Sequence, residues 1–67
     1  MNMVRKLRVQ KKMTQDELAT RSGLSRLTVV SAEKDGLAKA KAKTVVALAD
    51  ALGVDAGFLF ASSVNHE

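Results

Sequence analysis

The chain has 67 residues, of which 46% are hydrophobic and 27% charged, as is typical of one small globular domain. It contains no cysteine and one histidine, His66, which excludes a disulfide framework and a zinc site with thiolate ligands. The formal net charge is +4, and residues 1–36 carry all of it, so the pattern fits either a polyanionic partner or an inert basic surface.

The first predicted helix is marked by its periodicity. Val4, Leu7, Arg8 and Lys11 recur at intervals of three and four residues, which places them on one helical face. This periodicity predicts a helix over residues 2–12.

A capping signal marks the start of the second helix. Thr14 is followed three residues later by Glu17, and in a capping box each of these side chains accepts a hydrogen bond from the backbone of the other. Gly23 suits the left-handed position that ends a helix. The second helix is therefore predicted over residues 15–22.

The third predicted helix follows almost immediately. Ser25 is a good N-cap, and Val29 and Ala32 lie three residues apart on one face. Gly36 closes the element, so its predicted range is about 26–34.

The next segment, 37–43, alternates alanine and lysine and is predicted to be a loop. Thr44 is then expected to cap a fourth helix that ends at Gly53. Its apolar stripe consists of Val45, Leu48, Ala49 and Leu52.

Asp55 is expected to cap a short fifth helix that contains Phe58 and Leu59. Residues 61–67 are polar and are predicted to form a flexible tail, which leaves residues 1–60 as the folded domain. Because no strand signal competes, the predicted fold class is all-α, a compact bundle of four to five short helices.

The turn between the second and third helices has the form of a helix-turn-helix. Gly23-Leu24-Ser25 joins two short helices, and a glycine suits the positive φ that the reversal needs. Leu24 is expected to pack between the two helices. A plain helical hairpin has the same local pattern, so both interpretations remain open at this point.

A wider set of motifs favours the helix-turn-helix. The set comprises Thr14-Gln15-Asp16-Glu17-Leu18-Ala19, Ser22-Gly23-Leu24-Ser25-Arg26, Thr28-Val29, Glu33 and Leu48-Ala49-Asp50-Ala51-Leu52-Gly53-Val54. Together these motifs resemble the lambda-repressor-like (XRE) helix-turn-helix family over residues 4–60. The resemblance implies a DNA-binding module whose third helix enters the major groove.

The resemblance implies that outward residues of the third helix read bases. The candidates are Arg26, Leu27, Val30 and Ser31. Arg26 can form a bidentate fork with guanine, or it can bind a phosphate. Leu27 and Val30 depart from the polar residues usual in the family. They indicate contact with thymine methyl groups, a protein-binding face, or a slightly rotated helix that partly buries Leu27.

The resemblance also implies contacts with the phosphate backbone. The candidates are Gln15, Ser25, Thr28, Lys39, Lys41 and Lys43. Gln15 stands where the family contacts a phosphate, next to the amino-terminal amides of the second helix. Ser25 serves either as a cap or as a DNA contact. The lysines supply point charges, although a solvated charge run has the same composition, and their segment lacks the family's usual proline.

Arg8 and Glu33 match the positions of a largely buried ion pair in the family. Removal of one partner of such a pair leaves an uncompensated charge. Arg8 is therefore predicted to be structural and is not counted among the phosphate contacts.

These expectations combine into a sequence-specific transcriptional regulator, a repressor, that binds double-stranded DNA as a homodimer on a palindromic operator. Phe58, Leu59 and Phe60 are predicted to form the dimer interface, because one helix cannot bury three consecutive bulky side chains. Leu27 and Val30 keep an alternative open, namely a protein-interaction module such as an antitoxin or a phage or plasmid regulator.

Other function classes find little support. The sequence has no pair of sheltered acidic residues of the kind that an enzyme would use, so the chain is not expected to be an enzyme. No cofactor, metal or small-molecule ligand is expected. Phe58 and Phe60 are too few aromatic residues for a platform that stacks single-stranded nucleic acid. No apolar run reaches the ~20 residues that span a bilayer, and no signal peptide is recognisable, so no membrane partner and a cytoplasmic location are predicted.

Overall fold

The computed structural model describes residues 2–63, which form five helices and, within that range, no strand. In chain order the helices are α1 (Met3–Gln10), α2 (Gln15–Ser22), α3 (Arg26–Asp35), α4 (Ala42–Leu52) and α5 (Ala56–Ser63). The predicted all-α fold is confirmed, and the number of helices is five, the upper end of the predicted four to five.

The signals that bound α2 act as predicted. The Glu17 N–H donates to Thr14 Oγ1 at 3.0 Å, and the Thr14 N–H donates to Glu17 Oε1 at 2.8 Å, so the capping box is complete. Gly23 adopts a φ of +74°, the left-handed conformation that ends the helix. The predicted range of 15–22 is confirmed at both ends.

Side-chain caps also start α3 and α5. Ser25 Oγ accepts a hydrogen bond from the Thr28 N–H at 3.1 Å, and Asp55 Oδ2 accepts one from the Phe58 N–H at 3.0 Å. Both caps were predicted, and both are confirmed. They satisfy backbone N–H groups that have no partner within the first turn of a helix.

The first helix ends two residues earlier than its periodicity predicts. It stops at Gln10, and Lys12 adopts a φ of +58°, a left-handed conformation that reverses the chain. The Met13 N–H then donates to the Arg8 carbonyl at 3.1 Å, and Met13 is buried in the core. The prediction of 2–12 was therefore wrong at its end, because the burial of Met13 overrides helical continuation.

The fourth helix begins at Ala42, so the predicted cap at Thr44 is wrong. Lys41 occupies the N-cap position with an extended backbone, and its side chain makes no capping hydrogen bond with the described residues. Thr44 lies inside the first turn, and its N–H donates to the Lys41 carbonyl at 2.9 Å. The loop prediction holds for residues 37–41 but not for 42–43, where alanine and lysine follow their high helix propensity.

The fifth helix continues through Ser63, which lies beyond the predicted domain boundary at residue 60. Ser63 is buried, and its carbonyl accepts a hydrogen bond from the Leu37 N–H at 2.9 Å. Residues 61–63 therefore belong to the folded domain, which corrects the start of the predicted tail. His66 lies outside the described residues.

The core draws on all five helices and on the segment between α3 and α4. Its largest fully buried apolar side chains are Val4, Leu18, Val29, Leu37, Leu48, Leu52 and Leu59. The α4 helix is central, because it packs against α1, α2 and α5. Leu37 belongs to the predicted loop, and its full burial anchors that loop to the core.

No single helix within residues 2–63 is long and apolar enough to cross a membrane. By length and composition only, the pair formed by α4 and α5 meets that test, but it is bent by 108° at its break.

A nearly buried ion pair joins the end of α1 to α3. Arg8 Nε lies 2.5 Å from Glu33 Oε2, and the two side chains are only 12% and 5% exposed. Arg8 Nη1 donates to the Met13 carbonyl at 2.7 Å, and Gln15 Nε2 donates to Glu33 Oε1 at 3.2 Å. The pair thus connects α3 to α1, to the α1–α2 turn and to the first residue of α2.

We expect Glu33→Gln to lower the free energy of unfolding by about 3 kcal/mol, because it leaves the Arg8 charge largely buried without its counter-charge. Proteins have about 0.05–0.15 kcal/mol of stability per residue, so this loss is a large share of what a chain of this length possesses. Urea unfolding monitored by circular dichroism measures the change.

Asp16→Asn is the matched control. Asp16 also pairs with an arginine, Arg26, but those two side chains are 76% and 64% exposed. Exposed ion pairs contribute about 0–1 kcal/mol, so this variant should unfold close to the wild type. Equal losses in the two variants would contradict a structural role for the buried pair.

Candidate nucleic-acid interface

The turn between α2 and α3 is held by backbone hydrogen bonds. The Leu24 N–H donates to the Ala19 carbonyl at 3.0 Å and the Gly23 N–H to the Thr20 carbonyl at 3.3 Å, the two bonds of a Schellman motif. A Cβ at Gly23 would meet no atom within 4 Å, so the positive φ, and not crowding, is what favours glycine. Leu24 packs, partly buried, against the core, as predicted.

The outward face of α3 carries one exposed apolar side chain, in the first turn of the helix. Leu27 is 80% exposed, and Ser31 is also exposed, whereas Val30 is half-buried. Val29 and Ala32 face the core. The exposure of Leu27 excludes the interpretation that a rotated helix partly buries it.

Two hydroxyl groups meet at the start of α3. Ser25 Oγ and Thr28 Oγ1 lie 2.9 Å apart, and Ser25 Oγ also caps the helix. Ser25 therefore performs the structural role that its position favoured, while Thr28 keeps its side chain on the same edge of α3. Ser25 is exposed and Thr28 is half-buried, so both side chains are in contact with solvent.

A groove of about 740 Å³ runs between α3 and the segment that leads into α4. It brings together six of the predicted DNA contacts, namely Leu27, Thr28, Ser31, Lys39, Lys41 and Lys43. These residues are distant in sequence, and the turn that contains Leu37 carries the lysines to α3. One side of the molecule thus presents an apolar and hydroxyl-bearing helix face beside three ammonium groups.

The electrostatics of this groove favour an anion. Its charged lining consists of three lysines and one carboxylate, Asp35. The amino-terminal end of α4 lies at the same place, and no side chain of the described residues caps it. Because such an end carries a partial positive charge, it adds to the field of the lysines.

The other four predicted contacts lie outside the lining of the groove, namely Gln15, Ser25, Arg26 and Val30. Gln15 is half-buried at the start of α2, and its amide is bound to Glu33, which leaves its carbonyl oxygen and one N–H available. Arg26 is exposed in the first turn of α3, where its Nε lies 3.1 Å from Asp16 Oδ1. The sequence did not predict this partner, because ten positions separate the two residues and only the turn brings them together.

The predicted dimer surface is smaller than expected. Phe58 and Phe60 are 48% and 40% exposed, whereas Leu59 is fully buried in the core. Leu59 is therefore unavailable to a partner, which corrects that part of the prediction. Two other exposed apolar side chains, Val9 and Val46, were not predicted as contacts, although both lie off the helical faces at 4, 7, 8 and 11 and at 45, 48, 49 and 52.

No metal site is evident in the part of the chain that the structure describes. Within residues 2–63, no three histidine, aspartate or glutamate side chains converge closely enough to hold an ion.

Comparisons with known proteins agree with this geometry. A family model described as Helix-turn-helix matches residues 4–59, which is most of the chain and includes α2, α3 and the groove. No curated protein and no solved structure gives a match. The chain therefore belongs to the lambda-repressor-like (XRE) helix-turn-helix family of DNA-binding transcription regulators.

Proposed function

We propose that the chain is a repressor that binds a palindromic operator as a homodimer and inserts α3 into the major groove of double-stranded DNA. The observation that carries this proposal is the groove that joins the exposed face of α3 to Lys39, Lys41 and Lys43. Base readout and phosphate binding need different chemical groups on one side of a protein, and this groove supplies both.

The exposed face of α3 suits the dimensions and chemistry of the major groove. That groove is about 12 Å wide and admits one helix. Leu27 contacts thymine methyl groups in this arrangement, and Ser31 donates to or accepts from a base edge. Arg26, at the start of the helix, forms the bidentate contact with guanine. The operator is therefore expected to combine an A·T step with a nearby guanine.

The lysines and the amino-terminal end of α4 bind the phosphate backbone beside the bases that α3 reads. Lysine needs little orientation to neutralise a phosphate, so three lysines on a turn suit this role. Gln15 adds a phosphate contact at the start of α2 through the part of its amide that Glu33 leaves free. These contacts place α3 in register without reading the sequence.

Phe58 and Phe60 form the contact between the two copies. They are partly exposed on either side of Leu59, which is held in the core. A dimer of helix-turn-helix domains reads two half-sites about 34–36 Å apart, one turn of the double helix. Dimerisation therefore doubles the number of contacts that one domain makes.

A protein-interaction module is the second candidate function. The 80% exposure of Leu27 favours it, because Leu27 lines the groove together with Ala38 and Ala40, and contiguous exposed apolar surface suits a protein partner. The two candidates differ in their dependence on salt, since only the DNA complex releases many counterions.

The chain should bind a random-sequence duplex with an affinity that falls steeply with salt, as fluorescence anisotropy across a salt series measures. Each phosphate contact contributes about 0.9 to the slope of log K against log salt. Lys41→Gln should therefore reduce the slope by about 1. Lys6→Gln, an exposed lysine of α1 outside the groove, should leave the slope unchanged. Absence of binding at low salt would exclude the DNA-binding proposal in favour of a protein ligand.

Phe60→Asp should shift the protein from dimer to monomer in sedimentation velocity, because it places a charge in an apolar contact. Leu27→Asp is the control. It introduces the same charge at an exposed apolar residue that lies in the groove and not in the proposed dimer contact. It should retain the dimer and lose DNA binding. An unchanged sedimentation coefficient for Phe60→Asp would remove this surface from the proposal.

A further inference from the structure

We propose that Asp16 is a specificity-determining positioning residue, which holds Arg26 by its Nε so that the two Nη groups remain free to read a guanine. The inference rests on the proposed function, because it concerns the base contact made there by Arg26. Its starting point is the 3.1 Å separation between Arg26 Nε and Asp16 Oδ1, which joins the first turn of α2 to the first turn of α3.

The geometry of the guanidinium makes this division of contacts possible. Arginine carries five N–H donors in one plane, one on Nε and four on the two Nη atoms. The Asp16 carboxylate lies beside Nε as an ion pair, at the end of the guanidinium nearest the helix. A bidentate contact with guanine O6 and N7 requires two donors, and the Nη atoms supply them. Asp16 therefore holds the part of Arg26 that the base does not need.

Asp16 is the acid of the first turn of α2 that is available for this role. The other acid there, Glu17, is engaged in the capping box with Thr14. A carboxylate at the start of a helix is favourable, whereas the positive charge of Arg26 at the start of α3 is not. The ion pair offsets that unfavourable position and fixes the direction in which Arg26 leaves the helix.

The ion pair contributes little to folding, because both side chains are mostly exposed. Its effect is on binding. An arginine that is already oriented in the free protein loses less side-chain freedom when it binds DNA. The carboxylate also repels phosphates, which weakens binding to every duplex alike. Asp16 is thus expected to lower general affinity and to raise discrimination, two effects of opposite sign.

The test begins with the full chain and a duplex that it selects from random sequence. Arg26→Ala identifies the guanine that Arg26 recognises, because discrimination at that guanine is lost in this variant. A second duplex has another base at this position. For Asp16→Ala, the ratio of the two affinities should fall by up to about fivefold, the largest effect of an exposed ion pair, and by less than it does for Arg26→Ala. Binding to the second duplex should stay equal or become tighter. Circular dichroism checks that each variant is folded.

Two further variants separate positioning from charge. Asp50→Ala removes the same charge from an exposed site on α4 outside the groove, and it should leave the ratio unchanged. Adding Asp16→Ala to Arg26→Ala should cause no further loss of discrimination, because the residue that Asp16 positions is then absent.

The outcomes distinguish this inference from the proposed function. If Arg26→Ala loses discrimination while Asp16→Ala keeps it, the inference is overturned and the proposed function stands. If Arg26→Ala leaves discrimination at every guanine unchanged, the inference is overturned as well. If the wild type binds no duplex at low salt, the proposed function fails and the inference fails with it.

Discussion

The buried ion pair between Arg8 and Glu33 is the interaction on which the position of α3 depends. The core-facing surface of α3 is small, since its buried apolar residues are Val29 and Ala32. Two side chains of this size do not by themselves determine how a helix rotates about its axis. Glu33 supplies the missing constraint, because its carboxylate is held by Arg8 from α1 and by Gln15 from α2. The polar network thus adds to the apolar contacts that hold α3 with Leu27 on its outward face.

This network changes the meaning of the net charge of +4. The excess of basic residues lies in the first half of the chain, yet Arg8 is used inside the fold and Arg26 has a carboxylate beside it. The lysines beside α3 come instead from the second half, which has no net charge. The local arrangement of charge, and not its sum, produces the basic groove. Arg8 and Arg26 therefore differ in their surroundings, since Arg8 is nearly buried and Arg26 is exposed in the first turn of α3.

Local chemistry made much of the fold predictable. The capping box at Thr14, the cap at Ser25 and the left-handed Gly23 each act within a few residues, so their outcome is visible in the sequence. The family motifs made the helix-turn-helix as a whole predictable as well. What remained hidden depends on tertiary packing. Leu37 is buried from within a loop, Leu59 turns inward between two exposed phenylalanines, and Asp16 meets Arg26 across a turn, and none of these follows from spacing alone.

The most direct test of the central claim is an NMR titration of the isotope-labelled chain with a duplex selected from random sequence. Backbone amide shifts report which surface the DNA covers. If α3 reads the major groove while the α3–α4 turn binds phosphates, the largest changes will fall on residues 26–31 and 37–43, and the exposed surface of α1 will be unaffected. Changes confined to α1 and α5, with α3 unperturbed, would contradict the account.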